Sequence, residues 1–257
     1  MSDTRRKATE DDSQLIEAFS RLETMEIGGF VGIDQVMDPQ IKPLDPTMHM
    51  AGRALTVRGA MINKGVLDVV QPGDVLVIDT GGDYTTGVWG HLMTMAIRDK
   101  GATGVVVDGA VFHSNHLRRL GFPVFARTAS SYAGASRIAG GMNVPVRCGG
   151  VEVHPGDIVV GDCDGVVVVP KKQAREILLR SQISHEAHHI SRRLCEEKGL
   201  QFTQLPFIEE QWREKDQLPR EKTYVAFVHW LEKVKQSETN EYLEWLRAVA
   251  DELDVTQ

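Results

Sequence analysis

Residues 89–125 read WGHLMTMAIRDKGATGVVVDGAVFHSNHLRRLGFPVF, and the order of patterns within this run decides the fold. Trp89 to Lys100 reads as a helix, Gly104-Val105-Val106-Val107 as a strand, His113 to Leu120 as a short helix and Pro123-Val124-Phe125 as another strand. Parallel neighbours need a crossover connection, usually a helix, which this strand–helix alternation supplies. The run therefore predicts an α/β protein with an at least partly parallel sheet and helices packed against it.

Upstream, Ala54-Leu55-Thr56-Val57 and Val75-Leu76-Val77-Ile78 read as further strands, bounded by Gly and Pro. Gln71-Pro72-Gly73-Asp74 and His154-Pro155-Gly156-Asp157 echo one another, each leading into a β-branched run. A recurring tight turn explains the echo better than a duplicated ligand site. Near the N-terminus, Leu15, Ile16, Phe19, Leu22 and Met25 fall at helical spacing, which predicts one helix over 13–25 with Ser13 as its N-cap. Downstream, Val166 to Val169 ends the sheet-rich part, and Pro170 opens a long helix running to about Glu197.

After Gly199 the composition shifts to aromatic and charged residues, with helices expected at 221–236 and 239–253. Residues 201–257 carry 7 Lys/Arg against 12 Asp/Glu, so most of the formal charge of −7 lies in this tail. The expected domains are 1–199 and a C-terminal helical extension, 200–257. An amphipathic hairpin packed on its own or a neighbouring subunit accounts for the tail.

The chain has 257 residues, 42% of them hydrophobic and 25% charged, enough for a substantial core. Its acidic balance lacks the basic footprint of nucleic-acid binding. Cys148, Cys163 and Cys195 are widely separated and show neither zinc-ligand spacing nor a secreted disulfide pattern. With no apolar signal core and no membrane-length apolar run, the expected setting is the cytoplasm, without membrane or nucleic-acid partners.

Two stretches carry candidate chemistry. Gly87-Val88-Trp89-Gly90-His91-Leu92-Met93 lies where loop passes into helix, and unsatisfied amides beside a glycine suit a carboxylate cradle. Val107-Asp108-Gly109-Ala110-Val111-Phe112-His113-Ser114-Asn115-His116 follows a strand's carboxyl end, where α/β proteins commonly place their ligands. His113 and His116 share one helical face, and with His91 or Asp108 they form a candidate divalent-metal site. On the long helix, His185, Glu186, His188 and His189 are read as a solvent-facing stripe, although a metal or proton-transfer role fits their spacing.

The runs 88–93, 100–111 and 121–127, with Gly52 to Val57 and Pro155 to Pro170, resemble in this order the RraA-like family over about residues 25–195. That family includes 4-hydroxy-4-methyl-2-oxoglutarate and 4-carboxy-4-hydroxy-2-oxoadipate aldolases and the regulator of ribonuclease E activity. The resemblance implies a compact β/β/α swivelling-type sandwich, assembled as a homotrimer or homohexamer with sites between subunits. It also implies a small-molecule carboxylate substrate, a magnesium or manganese ion, carboxylate binding by the amides of Gly90 to Met93, and an acid/base glutamate best matched by Glu186.

The sequence departs from the family at the chemistry. The Arg-Asp pair of the aldolases is Phe112-His113 here, and the acidic residue after the loop glycine is His91. Two explanations compete. In one, His91 and His113, with His116 or Asp108, hold zinc, manganese or iron, while Asp108 and Arg127 orient the site and Arg118, Arg119 or Arg127 supplies positive charge. In the other, the chain is a non-catalytic binding or regulatory member.

Overall fold

The central strands of the parallel core are buried and mainly apolar on both faces, as a sheet covered on both sides requires. The computed structural model describes residues 10–59, 64–134, 140–199 and 201. In chain order the elements are α1 (Glu10–Phe19), α2 (Thr24–Val31), β1 (Lys42–Pro43), β2 (Met50–Arg58), α3 (Lys64–Val69), β3 (Asp74–Asp79), β4 (Gly87–Trp89) and α4 (His91–Arg98). There follow β5 (Gly104–Val111), α5 (Ser114–Leu120), β6 (Val124–Ala129), β7 (Gly141–Met142), β8 (Val146–Cys148), β9 (Val151–Val153), β10 (Ile158–Asp162), β11 (Gly165–Val169) and α6 (Ala174–Lys198).

The main sheet runs β1-β6-β5-β3-β2-β10-β11, with β4 added on β5 and β7 on β2. Strands β2, β3, β5 and β6 are parallel, as the order of patterns predicts, and β10 and β11 extend the sheet antiparallel. Alternation along β5 divides the core. Val105, Val107 and Val111 join Trp89, Ile97 and Leu117 under α4 and α5, whereas Val106 joins Phe125, Val146 and Val153 under the β8–β9 hairpin. Hairpin, sheet and helices thus form the three layers of a β/β/α sandwich.

Both Pro-Gly-Asp turns are structural. Asp74 accepts the Gln71 amide at 2.9 Å, Asp157 accepts the His154 amide at the same distance, and Gly73 and Gly156 take φ of 81° and 89°. Each aspartate closes its own turn and launches a buried strand. Asp74 also binds Arg53 at 2.6 Å in the interior, where burial raises its carboxyl pKa against the pull of that arginine.

The N-terminal expectation needs correction. The single helix over 13–25 is two helices, α1 and α2, and Ser13 lies inside α1 instead of capping it. The break is built by a capping box, in which the Glu26 side chain accepts the Glu23 amide at 2.9 Å and Glu23 caps in return. Thr24 is then tied to Asp162 through its amide and its hydroxyl, at 2.6 and 2.7 Å.

The chain divides into two compact units, Met1–Leu178 and Leu179–Gln257, with the division inside α6. The boundary expected after residue 199 is marked by composition alone, and the helices expected at 221–236 and 239–253 lie outside the described residues. Among the described residues no helix is long and apolar enough to cross a membrane.

Candidate active site

The first turn of α4 is where the sheet's carboxyl end meets unsatisfied backbone. Gly90 precedes the helix and offers no side-chain cap, and the first helical bond runs from the Thr94 amide to the Gly90 carbonyl at 3.2 Å. The amides of His91, Leu92 and Met93 therefore stand before the hydrogen-bond ladder, facing outward with the positive end of the helix dipole. Thr94 fixes this turn: its hydroxyl donates to the Gly90 carbonyl at 3.1 Å and accepts from the fully buried Trp89 indole at 2.7 Å.

The end of β5 delivers the second half of the site. Phe112 donates its amide to the Trp89 carbonyl at 2.9 Å, which lays its ring beside Gly90. Only two residues separate β5 from α5, and His113 absorbs the reversal with φ 57°, ψ 38°. For a residue with a Cβ this left-handed conformation costs roughly 1–2 kcal/mol, which a glycine would avoid. It turns the His113 ring toward His91.

His91, His113 and His116 form one cluster. Nδ1 of His91 and Nδ1 of His113 are 3.3 Å apart, the His116 ring stacks on His91 with centroids 5.0 Å apart, and His113 stands edge-on to both. His91 is half-buried, and the other two are exposed.

The cluster can be tested against a metal. The 3.3 Å contact is a hydrogen bond between the two rings, one nitrogen donating and the other accepting. Two imidazole nitrogens at about 2.0–2.1 Å from one ion lie about 2.8–3.4 Å apart, so a small rotation of the rings would turn the pair into two adjacent ligands. Imidazole suits zinc or iron, whereas magnesium and manganese favour oxygen ligands, so the pair fits zinc or iron better than manganese and does not fit magnesium. His116 contributes through its face. Among the described residues the three histidines do not bring three donor atoms within 4.8 Å of one another. The group that does, Asp162, Cys163 and Asp164, lies in the β10–β11 turn, and Asp162 there already accepts from Thr24 and Asp164.

Asp108 and Arg127 are brought to each other and not to the histidines. By strand alternation both project on the hairpin side of the sheet. There Arg127 Nε donates to Asp108, whose second oxygen accepts the Gly149 amide at 2.7 Å. Arg127 also reaches Asp38 at 2.8 Å and Gln40 at 3.2 Å, under the Tyr84 ring. Burial alone lowers the pKa of this guanidinium, but the bonds to Asp108 and Asp38 outweigh it and hold the group above its ordinary value. Arg118 is likewise engaged, with the Leu44 carbonyl at 2.9 Å and Asn115 at 3.2 Å. Neighbouring Cys148 is fully buried, and burial, reinforced by Asp108 and Asp79, pushes its thiol up.

Sequence reasoning missed Thr94, Asp38, Gln40, Tyr84 and Gly149. Thr94 left a signal, being a polar residue on the buried face of α4; the others are remote in sequence from the groups they hold. Glu186 belongs to α6, and its side chain lies outside the described residues. His185 and His189 sit on α6 with ring centroids 6.3 Å apart, within the second unit.

A family model described as RraA-like, Aldolase/RraA, matches residues 13–168. A Halalkalibacterium halodurans protein provisionally named 4-hydroxy-4-methyl-2-oxoglutarate aldolase is 40% identical over 146 residues, covering 55% of this chain and 70% of that one. A Thermus thermophilus protein named 4-hydroxy-4-methyl-2-oxoglutarate aldolase is 35% identical over 127 residues, 48% of this chain and 77% of the relative. Among solved structures, Streptomyces coelicolor RraAS2, described as an unusual member of the RNase ES inhibitor RraA protein family, matches with a TM-score of 0.65 at 30% identity. That match covers 72% of this chain and 99% of the other.

Proposed function

The chain belongs to the RraA-like aldolase family, and from that premise we propose that it is a divalent-metal-dependent carbon–carbon lyase, of aldolase or decarboxylase type, for a small carboxylated oxo or hydroxy acid. The observation that carries this reading is the 3.3 Å approach of His91 and His113 at the uncapped start of α4.

The amides of His91, Leu92 and Met93, next to a Gly90 against which the Phe112 ring packs, hold the substrate carboxylate. His91 and His113 hold the ion, which when bound supplies Lewis-acid stabilisation of the enolate formed as the carbon–carbon bond breaks. The stacked face of His116 fixes the plane of the His91 ring, as groups behind a ligand commonly do. Trp89 and Thr94 keep the first turn from shifting, and the Phe112 ring shields one side from water.

Asp108 and Arg127 act at one remove, tying β5 and β6 to the loops at Asp38 and Gly149. Glu186 is the proposed proton-transfer group, supplied within a homotrimer or homohexamer. Leu92, 70% exposed on the outer face of α4, and the exposed Met95 support burial of this edge in an assembly. We place the protein in the cytoplasm, without membrane or nucleic-acid partners.

The test is pyruvate release by the purified protein from oxaloacetate, 4-hydroxy-4-methyl-2-oxoglutarate and 4-hydroxy-2-oxo acids with alkyl arms, with zinc, manganese, iron(II), magnesium or no metal. Release that depends on a transition ion is the expected result. Absence of release with every substrate and metal would favour the binding or regulatory reading, to which the RraAS2 likeness also points.

A further inference from the structure

We propose that Phe112 sets the substrate class of this site: a 2-oxo acid with one carboxylate and an apolar arm, in preference to one with a second carboxylate. The inference rests on the reading of the α4 amides and the His91–His113 pair as the substrate site.

The ring of Phe112 fills the side of the cradle between two glycines. A Cβ on Gly90 would stand 2.6 Å from Cζ and 2.9 Å from Cδ2 of Phe112, with Cε2 closer still, so ring and glycine are already in contact. A Cβ on Gly87 would stand 3.1 Å from Phe112 Cβ. The ring is half-buried, and its edge meets His113 at 5.0 Å between centroids and 70° between planes. One wall of the site is therefore aromatic, beside both the amides and the histidines.

An alkyl or aryl arm against this wall leaves water for apolar contact. A carboxylate against it loses hydration without gaining a cation. Two of the three guanidinium groups near this end of the sheet are committed elsewhere, Arg118 to Leu44 and Asn115, and Arg127 to Asp108, Asp38 and Gln40, while Arg119 lies on the exposed face of α5.

The test is calorimetric titration of the full chain, in zinc, with 2-oxo-4-methylpentanoate and with 2-oxoglutarate, for wild type, Phe112→Arg and Phe112→Ser. Wild type should bind the branched monocarboxylate at least about tenfold more tightly, the scale of a few apolar contacts in a pocket. Phe112→Arg should equalise or invert the order, and Phe112→Ser, which removes the wall without adding charge, should bring the two within about threefold. The serine variant keeps the comparison intact should the arginine variant fail to fold. Equal or tighter binding of 2-oxoglutarate by wild type, an unchanged ratio in both variants, or failure of both acids to bind would overturn the inference. A preserved preference without pyruvate release from any substrate would sink the lyase reading while this inference stood.

Discussion

Nδ1 of His91, on the first residue of α4, lies 3.3 Å from Nδ1 of His113, which caps α5 in a left-handed conformation. A non-glycine residue at φ 57° with no side-chain cap bond is strained, and strain of this kind persists where a side chain is kept for something other than stability.

The conformation makes a prediction about stability. His113→Gly should be more stable than His113→Ala by about 1 kcal/mol, because glycine adopts the left-handed turn freely and alanine does not. Both should lose transition-metal binding. Urea denaturation of the two variants checks this; a glycine variant less stable than the alanine variant would show that the turn stores no strain.

Gly90 should tolerate no side chain while Phe112 is present. Gly90→Ala drives its methyl into the aromatic ring and should cost about 1–3 kcal/mol, together with a large loss of substrate binding. Adding Phe112→Ala should recover most of that stability without restoring the wild-type preference among oxo acids. Thermal melts of both single variants and the double variant give the coupling.

Arg127 should matter for the frame and not for the metal. Its side chain is 9% exposed and bridges Asp108 and Asp38, so Arg127→Met leaves a buried carboxylate without its cation and should destabilise by about 3–5 kcal/mol. Zinc stoichiometry measured at a temperature where the variant is folded should be unchanged, since the pair lies across the sheet from the histidines. Loss of zinc from the folded variant would join the two groups into one site.

Asp38 sets an acid-side signature. Its carboxyl is held below the ordinary value first by the Gln40 amide and then by Arg127. A depressed folded pKa contributes stability that is present above the ordinary value of 3.8 and is lost as pH falls through the folded pKa. Asp38→Asn should therefore be less stable than wild type at pH 6, with the difference shrinking below pH 4 and vanishing at the acid end. Unfolding midpoints from pH 6 to 2.5 measure it, and a constant gap would contradict the assignment.

The parallel core was legible because Val105 to Val107 and Val75 to Ile78 are apolar on both faces, a pattern that only a covered sheet explains. The break between α1 and α2 was not, because Leu22 and Met25 keep the helical spacing across it and only the Glu23–Glu26 capping box marks the stop. The β8–β9 hairpin had a readable signal: Gly149 and Gly150, both at positive φ, form the two-residue turn between Cys148 and Val151. At the site, sequence reading singled out three histidines that the structure brings together, but not through the shared helical face expected for His113 and His116, because His113 lies before α5 in a left-handed conformation. Sequence could not reveal that alternation along β5 separates Asp108 from them, or that Asp38, 89 residues from Arg127, would claim its charge.

The most direct measurement is the metal content of the purified chain after loading with zinc and dialysis, for wild type, His91→Ala, His113→Ala and His116→Ala. One tightly held ion per chain is predicted for wild type, lost in His91→Ala and His113→Ala and weakened but present in His116→Ala. A wild-type chain without zinc, or a His113→Ala chain that retains it, would contradict the account.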